Sequence, residues 1–96
     1  MAAIRFTWDP KKDQINQRRH RIAFAEAQTV FYDENAQLID DPDHSDDEER
    51  FILIGLSSSW RLLIVCHCYH ENDEVIRIFS ARKATPHETK PYFEGA

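Results

Sequence analysis

Ninety-six residues, of which 42% are apolar and 30% charged, suffice for one hydrophobic core and no second domain. No apolar run approaches membrane-spanning length and the N-terminus has no signal-peptide core, so the sequence reads as a cytoplasmic globular domain with no membrane association. The net charge of −5 argues against nucleic acid only until its distribution is read: nine of the seventeen carboxylates lie between Asp33 and Glu49, a stretch without Lys or Arg, and the remainder sets twelve bases against eight acids, or +4.

In chain order, Ile4, Phe6 and Trp8 alternate with polar residues and predict a short strand. Asp9-Pro10 is a helix start, an acceptor side chain before a proline whose missing N–H costs nothing there, and the helix is expected to run to His20. Asn16 and His20 share one face of it. Phe24, Ala27, Val30 and Phe31 recur at helical spacing and predict a second helix from about Ala23 to Tyr32, with Ala23 a poor cap. Gln37 to Asp40 reads as a short strand, and Asp41 to Glu49 as a polar acidic loop.

Three strands are expected next, Arg50 to Leu56, Arg61 to Tyr69 and Glu74 to Ala81, joined by connections short enough for hairpins. Thr85-Pro86-His87-Glu88 is a capping box that opens a helix toward Phe93. The fold class is therefore α+β: two N-terminal helices, an antiparallel meander, and a closing C-terminal helix. With unbulged hairpins, Arg61 stands opposite Arg82, and both share a face with His67, Ile52 and Ile54; Arg77 falls on the other face with Phe51, Leu53 and Cys68.

Arg77 is the informative position. Its charge persists at any accessible pH, so on a strand as apolar as Val75 to Ala81 it requires an internal carboxylate or an external anion. Arginines with a histidine suit phosphodiester cleavage, in which a base takes the 2′-hydroxyl proton and guanidinium donors stabilise charge building on phosphorus. The competing reading pairs Arg61 and Arg82 with Glu74, Glu49 or Glu88 and makes His67 a satisfied core residue.

Cys66 and Cys68 lie two apart on a strand with His67 facing the other way, a pattern of reduced thiols rather than a disulfide or a chelate. His44 and the carboxylates after it lack the glycine and ligand spacing of a calcium loop, and two glycines in the whole chain leave no dinucleotide or phosphate-binding loop. No cofactor or metal is expected.

Taken together, Phe6-Thr7-Trp8-Asp9-Pro10, Asn16 with Arg19-His20, Phe24-Ala25-Glu26-Ala27, Val30-Phe31-Tyr32-Asp33, Ile54-Gly55, Arg61-Leu62-Leu63, Val65-Cys66-His67-Cys68-Tyr69 and the run Ile76 to Thr85 with Glu88 and Tyr92 resemble the BrnT ribonuclease toxins of bacterial type II toxin–antitoxin systems. His44-Ser45 with Glu48-Glu49-Arg50 completes the pattern, which Ala23 and Phe79 depart from without touching the proposed chemistry. The resemblance implies a RelE-like fold, metal-independent cleavage of RNA that inhibits translation, and a neighbouring ribbon-helix-helix antitoxin in a two-plus-two heterotetramer that contacts operator DNA only through the antitoxin. By the same resemblance, Arg61 and Arg77 hold the scissile phosphate beside Arg82, His67 transfers protons, Glu49 orients an arginine or acts as base, and His20 is either catalytic or a structural link. The rival expectations are a non-catalytic protein-interaction module and an RNA-binding module without cleavage.

Overall fold

A computed structural model describes residues 4–41 and 49–94; the acidic loop from residue 42 to 48, with His44, lies outside the described residues. The elements are β1 (Arg5–Thr7), α1 (Pro10–His20), α2 (Phe24–Thr29) continued by a 3₁₀ turn (Val30–Tyr32), β2 (Gln37–Asp40), β3 (Phe51–Leu56), β4 (Leu62–His70), β5 (Val75–Lys83) and α3 (Pro86–Glu94). The α+β class follows the sequence expectation, but the expected second helix from Ala23 to Tyr32 is α-helical only over Phe24–Thr29 before it tightens to 3₁₀, and the sheet is mixed, not wholly antiparallel. Its order is β1-β5-β4-β3-β2, with β1 parallel to β5.

Local chemistry accounts for the helix boundaries. Asp9 accepts from the Lys11 amide at 2.9 Å, and Arg21 ends α1 in the left-handed region at φ 62°. Ala23 gives α2 no side-chain cap, and Asp13 of α1 takes over, accepting from the Phe24 amide at 2.9 Å. The capping box before α3 is present: the Thr85 amide donates to Glu88 at 2.9 Å and the Glu88 amide to Thr85 at 3.2 Å.

The register of both hairpins departs from the unbulged expectation. Ser57 still pairs with Arg61, its amide donating to the Arg61 carbonyl at 2.9 Å, so the loop is Ser58 to Trp60, three residues closed by Trp60 at φ 60°. That one-residue difference puts Phe51, Leu53 and Gly55, rather than Ile52 and Ile54, opposite His67, Val65 and Leu63. Between β4 and β5 the pairing shifts after Cys66–Ser80, so that His67 meets Ile78 and Phe79 is the extra residue of a bulge. Because the ladder also closes on His70–Val75 at the loop, where a four-residue connection would pair Tyr69 with Glu74, the loop and the bulge together set Arg82 opposite Ile64, not Arg61.

One face of the sheet meets α1, α2 and the 3₁₀ turn over the core of Ile22, Phe24, Val30, Leu63, Val65 and Ile78. Gly55 permits the closest approach there, since a Cβ at that position would lie 2.9 Å from Val30 Cγ1. On the other face, α3 runs from Arg82, which its Glu88 binds, back to the β2 edge, where Nε2 of Gln37 donates to the Pro91 carbonyl at 3.4 Å. The Tyr92 hydroxyl fixes its far end by donating to Asp33 at 2.6 Å.

β1 pairs with only the first part of β5. Asn16 of α1 occupies the remaining edge, its Nδ2 donating to the Ala81 carbonyl at 2.8 Å and its Oδ1 accepting from the Ala81 amide at 3.2 Å. A side-chain amide thereby substitutes for a missing strand, satisfying two buried main-chain groups.

Candidate active site

Arg77 lies in mid-strand, half-buried, with Cys68 opposite on one side and Thr7 on the other. Its guanidinium makes no hydrogen bond or ion pair with the described residues. The face it occupies is the one α3 covers at the Ile54–Ile64 end, and the Arg77 end lies beyond that helix's contacts with Arg82 and Gln37.

Three more cations surround that end. Continuing the β3–β4 register one step past Phe51 sets Arg50 beside Cys68, in line with Arg77. Arg50 reaches across β4 to lay its guanidinium 4.4 Å from the centroid of Phe79, and Lys12 of α1 lies 5.3 Å from the same ring. The bulge aims Phe79 to receive both. Beside it, a shallow cleft lined by Lys12, Arg19, His20, Phe79 and Ser80 brings the half-buried His20 to this surface. His70, exposed at the end of β4, has Nε2 3.2 Å from Cys68 Sγ and is a second histidine on the same face. The thiols serve packing: burial and the Asp41 carboxylate push Cys66 up to about 12, so it stays protonated.

The other residues singled out in the sequence go elsewhere. Arg61 is on the helix face, where Nε donates to Glu26 of α2 at 2.9 Å, a second nitrogen closes a bidentate pair with the same carboxylate, and Ser57 adds a bond to it at 2.7 Å. That pair holds Glu26 below the usual carboxylate range and raises Arg61. Arg82 makes a bidentate pair with Glu88 at 2.7 and 2.8 Å, which lowers that carboxyl to about 2. Both arginines thus have internal partners, Glu88 as one sequence reading allowed and Glu26 where no sequence signal pointed.

His67 is fully buried among Phe31, Phe51 and Tyr69. Nδ1 donates to the Val65 carbonyl at 3.3 Å and Nε2 accepts from the Tyr69 hydroxyl at 3.1 Å, an assignment fixed by the carbonyl, which can only accept. Burial pulls its pKa down to about 4, so it is neutral and out of contact with solvent at neutral pH. Glu49, exposed, lines a cavity with Leu38, Phe51 and Tyr69 that also reaches Cys68 and His70. Of the six residues, the structure therefore brings only Arg77 and His20 toward the basic surface around Phe79, and adds Lys12 and Arg50, which sequence spacing did not link to it. Among the described residues no group of three His, Cys, Asp or Glu side chains is placed to hold a metal ion.

The family model described as "Ribonuclease toxin, BrnT, of type II toxin-antitoxin system" matches residues 8–88. Among solved structures, the chain is similar to the Brucella abortus ribonuclease toxin BrnT at 22% sequence identity and a TM-score of 0.66, with 86% of this chain and 99% of that chain covered, a likeness that carries the fold. No curated protein sequence matches. The family match spans nearly the whole mixed sheet together with α1 and α2, and the chain belongs to the BrnT family of ribonuclease toxins, the RNA-cleaving partners of protein antitoxins in type II systems.

Proposed function

We propose that the open face carrying Arg77 is where RNA is cleaved, and that it works without a metal. The observation that carries this reading is the half-buried Arg77 guanidinium, without an internal anion among the described residues, facing a surface that Lys12 and Arg50 make basic. A phosphodiester satisfies that requirement. Arg77 donates to a non-bridging oxygen of the scissile phosphate while Lys12 neutralises a flanking phosphate. The 2′-oxygen attacks phosphorus, the bond to the 5′-oxygen breaks, and the products are a 2′,3′-cyclic phosphate and a 5′-hydroxyl. One group removes the 2′ proton and another returns a proton to the 5′-oxygen; His20 and His70, which the described residues bring to this face, are the groups proposed for these transfers. His67 acts through packing. Arg61 and Arg82 set the fold that presents Arg77.

The family resemblance supports the finer expectations: a RelE-like kinship, action on cytoplasmic RNA with inhibition of translation, and a ribbon-helix-helix antitoxin dimer assembled with two toxin chains. The test of metal independence is cleavage of RNA by the purified chain in EDTA. Undiminished cleavage with cyclic phosphate ends is expected, and activity that depends on added divalent metal would contradict it.

A further inference from the structure

The two faces of the sheet differ in charge. On the helix face, beyond the reach of α1 and α2, an open groove of about 550 Å³ runs between β1, the 3₁₀ turn and β2, floored by Phe6, Leu53, Tyr69 and Ile76. Three of the chain's exposed large apolar side chains stand along it: Ile4 at 55%, Tyr32 at 70% and Leu38 at 51%. At Leu38 and Tyr69 it continues into a second cavity, walled by Glu49, Phe51 and Asp73 and reaching, at the end of β4, Cys68 and His70. Among the described residues no Lys or Arg lines either cavity, and Asp33 stands at the other end. Burial, and after it the nearby Asp73 charge, raise the Tyr69 hydroxyl pKa. An apolar floor between acidic ends repels phosphate, so this groove does not serve RNA.

We infer that this groove is the docking site of the antitoxin, and that it takes an apolar antitoxin segment bearing Lys or Arg. This rests on the toxin reading, since family membership supplies the partner. Charge complementarity decides the segment's character: apolar residues cover Leu38, Tyr32 and Ile4, and basic residues meet Asp73 and Glu49. The apolar floor lies on the face opposite Arg77 and the second cavity reaches round only to His70, so this contact anchors the antitoxin while leaving Arg77 itself open. Shielding of Arg77 falls to another part of the same antitoxin.

The test uses the full chain and the protein encoded beside it, with binding measured by calorimetry at two salt concentrations. Leu38→Arg, at an exposed edge-strand position, places a cation in the groove and is expected to weaken binding about tenfold or more. Asp73→Asn keeps a residue that tolerates the φ of 67° found there and is expected to weaken binding severalfold and to flatten its salt dependence. Both variants should cleave RNA as the wild type does when free, and should resist neutralisation. Binding of both variants within twofold of wild type, or no binding of that protein by the wild-type chain, would overturn the inference. Cleavage is read separately, so a chain that binds but does not cut would count against the catalytic proposal alone.

Discussion

The Tyr69 hydroxyl donates to Nε2 of His67 at 3.1 Å, and the two rings meet edge to face with centroids 5.1 Å apart. The same imidazole satisfies the Val65 carbonyl and packs against Phe31 at 4.7 Å, so it joins β4 to the 3₁₀ turn as a neutral core residue. His67→Ala should leave a cavity and two unsatisfied polar groups, and lower unfolding free energy by about 3 kcal/mol in denaturant titrations. A substitution that abolished cleavage with an unchanged denaturation midpoint would instead mark a chemical role.

The buried imidazole also predicts an acid dependence. In the unfolded chain it protonates near 6.5 and in the folded protein only near 4, so between those values the unfolded state binds more protons. Its contribution is fully present above pH 6.5 and lost as pH falls toward 4, by at most about 3 kcal/mol. His67→Phe should flatten stability between pH 7 and 4.5. An equally steep decline in that variant would assign it to other groups.

Arg61 and Glu26 tie the β3–β4 hairpin to α2, with side chains 32% and 13% exposed. Arg61→Ala should destabilise by about 2 kcal/mol, because it leaves a mostly buried carboxylate without its cation. A double-mutant cycle with Glu26→Gln should return a coupling of about 1–2 kcal/mol. Additive single effects would remove the pair from the account of the fold.

On the opposite face of the sheet, Arg82 and the capping box hold Glu88 at about 2, below its ordinary 4.5. That stabilisation is present above pH 4.5 and lost as pH falls toward 2, and the pair's partial exposure limits it to about 1 kcal/mol. Glu88→Gln should loosen α3 first, seen as faster amide exchange in residues 86–94 with the sheet amides still protected. Uniform loss of protection would show that α3 and the sheet unfold together.

The helices and strands were legible because their signals are local: Asp9-Pro10, the Thr85–Glu88 box and the alternation of Ile4, Phe6 and Trp8 each lie within a few residues. Register was not, because it turned on whether Ser57 belonged to the loop or the ladder, and on a bulge at Phe79 that no glycine announced. The parallel pairing of β1 with β5 depends on a long-range closure, and Asn16's capture of Ala81 on a side chain acting as backbone. Arg77 was found through the mismatch between its charge and its strand. Lys12 and Arg50 joined it only once β3, β5 and α1 were assembled around Phe79.

The central claim is that Arg77 is held open for a phosphate of RNA. The most direct measurement is RNA cleavage in EDTA by Arg77→Ala, alongside its thermal transition and that of the wild type. Loss of about two orders of magnitude or more in rate, with the transition kept within a few degrees, is the predicted result. Wild-type cleavage by the variant, or a collapse of its stability, would contradict the claim, the first by removing Arg77 from the chemistry and the second by making it a structural charge.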